Sequence, residues 1–254
     1  MSFGRISLKK REEIILEGIT LSRPGLEIGP SFRPVASKRK GHNVTILDHA
    51  TAEELRIKYE SQGIDVSKIE EVDIVWRGGR LTGLLPKNTF DWILGSHVIE
   101  HSPCLISFLQ DCETILRLGG VLSLAIPDKR YCFDSLRACS SLSRVIDVHE
   151  QQPQVHTVGS VAEFFLKACT LNGQIAWNPD TTGIIAPRHT PSDALDCMSK
   201  SRAGTYLDIH SWVFTPESFR ELFQDLKTLK YISMSEHAFT DTIGHEFFVQ
   251  LVKH

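Results

Sequence analysis

The sequence predicts an α/β fold, a three-layer sandwich with a seven-stranded, mostly parallel sheet between layers of helices. Two observations support this prediction. Short apolar runs alternate with helical patterns along the first half of the chain, which favours strand–helix–strand units with right-handed crossovers. Two further apolar runs surround a turn near the C-terminus, which favours an antiparallel last strand. The strands are predicted at 25–28, 44–47, 71–76, 90–95, 121–126, 230–239 and 246–252.

The helices are predicted from apolar spacing and from the residues that start and end them. Thr51 is an N-cap residue, and Pro103 and Pro216 are prolines suited to a first helical turn. Gly63 and Gly119 are suited to the ends of the helices before them. The predicted helices are 8–20, 52–62, 103–118 and 216–226.

One segment breaks the alternation of strands and helices. Residues 131–206 contain helical pieces and polar stretches, but their aromatic and apolar content is too high for a disordered linker. We interpret them as an inserted substrate-binding cap. The core domain then comprises residues 1–130 and 207–254.

Composition narrows the expected partners and location. The chain has 254 residues, a formal net charge of −3 and no basic stripe, so we expect no nucleic-acid partner. The six cysteines form no CxxC pair, which favours free thiols in a reducing compartment. Residues 1–13 lack the apolar segment of a secretory signal, and no apolar run is long enough for a membrane span. We therefore expect a cytoplasmic protein, and we leave open whether it forms a homodimer.

The stretch from Gly25 to Ala50 has the organisation of a nucleoside-binding unit. Gly29 follows the first predicted strand, and Asp48 ends the second, 19 residues later. In an open α/β sheet, ligands bind beyond the carboxyl ends of the strands, where strand order reverses. Glycine permits a close approach of the backbone, and the carboxylate can accept both ribose hydroxyls. We therefore predict an adenosine-containing ligand.

The loop after the first strand discriminates between two such ligands. A dinucleotide needs GxGxxG to seat its pyrophosphate on a helix N-terminus, but this chain has GPSFRP. A sulfonium nucleoside carries no phosphate and tolerates one glycine. A nicotinamide cofactor is therefore disfavoured.

Two segments, FDWILGSHVIEH and FLQDCETILRLGGVLSLAIPDKRYCFD, resemble class I S-adenosylmethionine-dependent methyltransferases, in particular the type 11 branch. The tail PDKRYCFD, with IHSWVFTPESF later, resembles a subgroup found beside bacterial glycosyltransferases. The resemblance implies a Rossmann-like fold, S-adenosyl-L-methionine as cofactor and S-adenosyl-L-homocysteine as product. It further implies O-methylation of a polar small molecule or glycan hydroxyl, with a sugar in surface polysaccharide biosynthesis as one acceptor. O- or N-methylation of a natural product is the alternative.

The resemblance also assigns cofactor contacts. Glu27 and Gly29 would hold the amino-acid end, Asp48 the ribose, and the turn 76–79 the adenine. Ser96 and His97 would face the sulfonium. The expected contacts are Glu27, Gly29, Pro30, Ser31, Asp48, His49, Trp76, Arg77, Gly78, Ser96 and His97.

The chain departs from the family pattern in two places. Gly29 stands alone before Pro30, and Arg77-Gly78-Gly79 replaces an acid after the third strand. These departures keep open a cofactor-binding scaffold without catalytic activity.

Methyl transfer to a hydroxyl needs a base, and histidine suits neutral pH. We expect His97 as the first candidate and His210 as the second, with Asp208 to orient His210. Asp128 is expected to orient a base or to accept a sugar hydroxyl. We expect no metal, because no HExxH pattern accompanies His97 and His101. The expected acceptor contacts are Arg130, Tyr131, Arg188 and His189.

Overall fold

The computed structural model describes residues 8–254. Residues 1–7, which belong to the stretch that predicts no secretory signal, lie outside the described residues. The helices are α1 Leu8–Ile15, α2 Ala52–Glu60, α3 Leu105–Ile115, α4 Leu142–Gln151, α5 Val158–Lys167, α6 Pro191–Arg202 and α7 Pro216–Thr228. The strands are β1 Gly25–Ile28, β2 Val44–Asp48, β3 Ile74–Val75, β4 Phe90–Ser96, β5 Leu116–Pro127, β6 Cys169–Leu171, β7 Ile185–Pro187, β8 Ser235–Ile243 and β9 Glu246–Val252.

Seven of these strands form one sheet in the order β3-β2-β1-β4-β5-β9-β8. β9 runs antiparallel to both its neighbours, and the pairs among β1 to β5 are parallel. Strand order reverses between β1 and β4, because the chain moves outward to β3 and then returns to the other side of β1. The predicted Rossmann-like α/β sandwich, with its antiparallel last strand, is confirmed.

Two apolar clusters lie on opposite faces of the sheet, as the alternation of side chains along strands requires. Leu26 and Leu124 belong to the larger cluster, which α3, α4 and α7 cover. Ile46 and Trp92 belong to the other, where Ile15 of α1 packs. The α1 helix is further attached by Ser123, whose hydroxyl donates to the Ile15 carbonyl at 2.7 Å. These contacts hold the N-terminal helix against the sheet.

The third strand is shorter than predicted. Regular pairing covers only Ile74 and Val75, although the apolar run starts at 71. The Asp73 carboxylate accepts the backbone N–H of Ile46 at 2.7 Å and pairs with Lys38. A side chain therefore occupies a ladder position that backbone pairing would otherwise use.

The predicted boundary between the third helix and the fifth strand was wrong. Leu116 leaves the helix and pairs with Phe90, so the strand begins at the position where the sequence predicted the last helical turn. Near the C-terminus, β8 begins later than predicted and extends to Ile243. The turn is tight because Ile243 pairs directly with Glu246, and Gly244 adopts φ +71°.

Residues 131–206 hold α4, α5, α6 and the antiparallel pair of β6 and β7. The apolar faces of α5 and α6 pack around Phe164 in a cluster of their own, whereas Val145 of α4 joins the main core. Among residues 8–254, no helix combines the length and apolarity needed to cross a membrane.

Gly25→Ala should destabilise the fold by about 3 kcal/mol, because overpacking a filled core forces strain. A Cβ at this position would lie 1.9 Å from the buried Trp92 indole. The indole N–H donates to the Arg23 carbonyl, which limits its movement. Urea unfolding measures the effect. Gly159→Ala is the control, since its Cβ meets open space and should stabilise α5 by about 0.5 kcal/mol. Equal stability of the two variants would contradict the packing described.

Candidate active site

The carboxyl edge of the sheet brings Gly29 and Ser96 together where strand order reverses. Ile28 pairs with Gly95, so Gly29 and Ser96, which follow them, lie side by side at the ends of β1 and β4. Gly29, Ser31 and His97 all adopt left-handed backbone conformations, with φ of +63°, +50° and +54°. Such a conformation is strained for histidine and clusters at functional sites. This edge, where strand order reverses, is the position at which open α/β sheets bind ligands, and we call it the crevice.

Asp48 ends β2 beside this crevice with its side chain fully buried. Its Oδ2 accepts the Ser31 backbone N–H at 2.8 Å, and its Oδ1 accepts the His49 N–H at 2.8 Å. The His49 imidazole Nδ1 lies 2.7 Å from Oδ1. Among the described residues Oδ2 has a single donor, so one of its lone pairs is free for a ligand hydroxyl.

Glu27 has a different role from the one we expected. Its carboxylate accepts the backbone N–H groups of Val35 and Ala36 at 2.7 and 2.9 Å. Burial raises the pKa of Glu27 to about 8, and the two N–H donors act in the opposite direction. Both oxygens bind the chain itself, so Glu27 fixes the loop after β1, and its contact with a cofactor stays a prediction.

His97 lies in a network that sequence reasoning missed. Its Nε2 lies 2.9 Å from Glu246 Oε2, and the Arg11 guanidinium contacts both Glu246 oxygens at 2.6 and 2.8 Å. Arg11 also donates to Ser96 Oγ at 2.6 Å. Burial acts to raise the pKa of Glu246, but the hydrogen bonds from His97 and Arg11 outweigh it and lower that pKa to about 2. The ionised Glu246 therefore favours a proton on His97 Nε2 and leaves Nδ1 as the basic nitrogen.

One signal for Glu246 was present in the sequence. It is an acid at the start of the otherwise apolar strand EFFVQLV, and an acid in a buried strand requires a partner. Arg11 carried no comparable signal, because it stands among charged residues in LKKREE.

His210 is buried and oriented by Asp134, which corrects our assignment of Asp208. The His210 Nδ1 lies 2.5 Å from Asp134 Oδ2. The buried Arg137 donates to Asp134 Oδ1 at 2.7 Å and to the His210 carbonyl at 2.8 Å. Burial lowers the pKa of His210 and outweighs the effect of Asp134. Burial acts to raise the pKa of Asp134, but His210 and Arg137 lower it overall.

Asp208 instead pairs with His101. Its Oδ1 lies 2.8 Å from His101 Nδ1. Burial acts to lower the pKa of His101, but the carboxylates of Asp208 and Glu100 outweigh it and raise that pKa. The His101 and His210 rings meet edge to face, with centroids 4.6 Å apart. The two imidazoles are therefore neighbours, each with its own carboxylate.

In this conformation Asp128 is not free to orient a base or to accept a sugar hydroxyl, the two roles that we expected. Its oxygens accept from the backbone and guanidinium of Arg130 and from Thr242 Oγ1, at 2.6–3.0 Å. The side chain is fully buried. Asp128 thus caps the turn after β5 and attaches β8 to it. Arg130 lies over the Tyr131 ring, and Tyr131 packs on the apolar cluster around Trp177.

The turn after β3 lies beside the same edge. The Trp76 backbone N–H donates to the Asp48 carbonyl at 2.7 Å, and its indole donates to the Gly79 carbonyl. Arg77 points to Glu54 of α2 across an exposed pair at 3.2 Å. Gly78 has φ +108°, a conformation that only glycine adopts freely.

Residues 131–206 contribute aromatic contacts to His210. The Phe133 ring centroid lies 4.5 Å from that of His210, and Arg188 stacks on Phe133 at 5.0 Å. His189 packs beside Phe165, with ring centroids 4.6 Å apart. The expected acceptor residue Arg188 therefore lies one side chain away from His210, and His189 lies among the cap aromatics.

No family model matches the sequence, and no curated protein matches it. Among solved structures, one from Rhodobacter sphaeroides, described as a Zn-dependent alcohol dehydrogenase, matches at 15% identity and TM-score 0.54, over 99% of this chain and 91% of that one. S-adenosylmethionine-dependent methyltransferases from Aquifex aeolicus and Mesorhizobium loti each match at 11% identity and TM-score 0.48. They cover 96% and 97% of this chain, and 89% and 100% of their own. At these identities the likeness concerns the fold.

Glu246→Gln should lower stability at neutral pH by about 3 kcal/mol, which corresponds to the depression of its pKa from 4.5 to about 2. A depressed acid stabilises the fold above pH 4.5, and this contribution is lost as pH falls toward 2. Urea unfolding between pH 7 and pH 3 should therefore show a weaker pH dependence in the variant.

Glu236→Gln is the matched control on the neighbouring strand. Its partner Arg220 is half exposed, so the pair contributes less than about 1 kcal/mol. If both variants lose the same stability, the Glu246 network has no special role.

Proposed function

We propose that the chain is a methyltransferase that uses S-adenosyl-L-methionine. The observation that supports this most is the combination, at one edge of the sheet, of bare backbone at Gly29, a buried carboxylate at Asp48 and an oriented imidazole at His97. The seven-stranded, mostly parallel sheet with an antiparallel last strand is also the one that the sequence predicts. A methyltransferase needs these three parts: room for a nucleoside, an acceptor for its ribose, and a group beside the reacting centre.

The proposed binding mode assigns one part of the nucleoside to each region of the edge. Asp48 Oδ2 accepts a ribose hydroxyl, and Gly29 lies against the amino-acid end. The turn of Trp76, Arg77 and Gly78 lies along the adenine. The residues present fit this group because Oδ2 retains a free lone pair and because Gly29, at φ +63°, exposes backbone without a side chain.

S-adenosyl-L-methionine supplies an electrophilic methyl group that needs no further activation. The chain has to align the acceptor oxygen with it, and alignment contributes roughly 7–11 kcal/mol to such reactions. His97 Nδ1 takes the hydroxyl proton, while Glu246 keeps the other nitrogen protonated and the ring fixed. The strained backbone of His97 supports this role, because a relaxed conformation would move the ring from the crevice.

We propose a polar hydroxyl, on a sugar or glycan intermediate, as the acceptor. In this proposal residues 131–206 form the cap over it, since Phe133 contacts His210 and Arg188 lies on the Phe133 ring. A guanidinium on an aromatic face is suited to a polar, anionic acceptor. All six cysteines are free thiols, which supports a cytoplasmic location.

A non-catalytic scaffold is the competing function. It is favoured by Glu27, whose two oxygens are bound by the loop, and by the three contacts that Asp48 makes with its own chain. A site satisfied in this way is stable without a ligand.

The first test is calorimetry with S-adenosyl-L-methionine, S-adenosyl-L-homocysteine and NAD. We expect both sulfur nucleosides to bind and NAD not to bind. Asp48→Asn should weaken binding at least tenfold, because hydrogen bonds to a charged group contribute about 1.5–3 kcal/mol each. Asp65→Asn, at an exposed aspartate after α2, is the control. Preferential binding of NAD would overturn the proposal.

The second test is labelled methyl transfer to a panel of sugars, sugar nucleotides and small hydroxyl compounds. His97→Gln should retain cofactor affinity and lose roughly 10²–10⁴-fold in turnover, the usual contribution of a general base. His237→Gln replaces an exposed histidine of β8 and should retain full turnover. Tight cofactor binding without transfer to any acceptor would favour the scaffold, and full turnover of His97→Gln would refute its assignment as the base.

A further inference from the structure

We propose that Glu100, His101 and His210 form a binding site for a divalent transition-metal ion, with Zn²⁺ as the best match. The two imidazoles and the carboxylate come from separate parts of the chain: the turn after β4 and the segment before α7. Each offers one ligand atom, and these atoms lie within 4.8 Å of one another. Two nitrogen ligands and one oxygen ligand form a set that binds zinc in proteins.

The distances are close to those of a loaded site. His210 Nε2 lies 3.8 Å from Glu100 Oε1. Ligand atoms about 2.0–2.2 Å from a tetrahedral ion lie about 3.4 Å from each other. Closure of the site therefore requires movements of less than about 1 Å for this pair, which side-chain adjustment supplies.

Glu100 provides an independent sign that a ligand is missing. Its side chain is 1% exposed, and neither carboxylate oxygen has a hydrogen-bond partner among the described residues. A buried carboxylate without a donor is costly, and such groups are normally paired or bind metals. The histidines around it, His97 at 3.6 Å and His210 at 3.8 Å, are too distant for hydrogen bonds. A cation between Glu100 and the imidazoles would satisfy these oxygens.

The carboxylates behind the histidines complete the arrangement. Asp134 lies 2.5 Å from His210 Nδ1, and Asp208 lies 2.8 Å from His101 Nδ1. Metal-binding histidines commonly use their second nitrogen in this way, and the hydrogen bond between His210 and Asp134 follows that pattern. Glu100, Asp134 and Asp208 also bring three formal negative charges to the cluster, and the buried Arg137 opposes one of them. A divalent cation would balance the remainder.

Three protein ligands leave a fourth position open on a tetrahedral ion, as in catalytic zinc sites. This part of the inference rests on the proposed function. If the chain methylates a hydroxyl, the open position would hold the acceptor oxygen and lower its pKa, close to the base His97. Metal binding itself can be measured without cofactor or acceptor, so its failure is distinguishable from failure of methyl transfer.

The test uses the untagged full-length protein, stripped with a chelator and titrated with Zn²⁺ and with Co²⁺. We expect about one ion per chain, a rise in melting temperature with Zn²⁺, and the visible absorption of four- or five-coordinate Co²⁺. Glu100→Gln and His210→Gln should each weaken binding at least tenfold. His237→Gln, at an exposed histidine, should bind as the wild type does.

Glu100→Gln also distinguishes loss of metal binding from loss of folding. Since it removes an unpaired buried charge, the metal-free variant should melt no lower than the metal-free wild type. It should then show no rise in melting temperature with Zn²⁺. Absence of binding by the wild type, or binding that Glu100→Gln and His210→Gln retain in full, would overturn the proposal.

Discussion

The candidate active site depends on one buried carboxylate, that of Glu246. It starts the antiparallel strand β9 and lies between the Arg11 guanidinium and the His97 imidazole. Three distant parts of the chain thus meet at a single charge: the first helix, the end of β4 and the C-terminal hairpin. Since a buried charge is tolerated only when paired, each partner also constrains the other. The sheet places His97 at the crevice, and Glu246 decides which way its ring faces.

The same logic explains why this edge of the sheet contains so many ionisable groups. Three histidines near the crevice each have a carboxylate: Glu246 for His97, Asp208 for His101 and Asp134 for His210. A carboxylate partner fixes which nitrogen carries the proton, and therefore which nitrogen is available for chemistry. Side chains fixed in this way present defined groups to a ligand.

The fold could be predicted from the sequence because periodicity and helix-end residues act locally. Thr51 is the N-cap of α2, as predicted, and Thr215 with Pro216 starts α7 where predicted. The strand boundaries failed where tertiary contacts overrode local preference, as at Leu116, which leaves the helix to pair with Phe90.

The site was harder to predict, because its partners are separated by long stretches of sequence. Neighbouring positions misled us: Asp208 lies two residues from His210, yet Asp134, 76 residues away, is the residue that orients it. Asp128 looked available because it follows a strand at the correct edge. It is in fact saturated by Arg130 and Thr242, and no local pattern encodes the Thr242 contact. The sequence patterns identified the edge of the sheet that carries the site. Only the packing of the folded chain identified which carboxylate lies beside which histidine.

The two ends of the crevice differ in how far their polar groups are satisfied. At the nucleoside end, Glu27 and Asp48 already accept hydrogen bonds from their own loop. In the proposed binding mode a ribose hydroxyl adds one hydrogen bond to the free lone pair of Asp48 Oδ2 and displaces none of these bonds. At the acceptor end, Glu100 is buried without a hydrogen-bond partner among the described residues. A ligand that donates to Glu100 or coordinates it offsets the free energy that burial of an unpaired carboxylate costs the folded chain. The polar group that most needs a ligand therefore lies on the proposed acceptor side of the site.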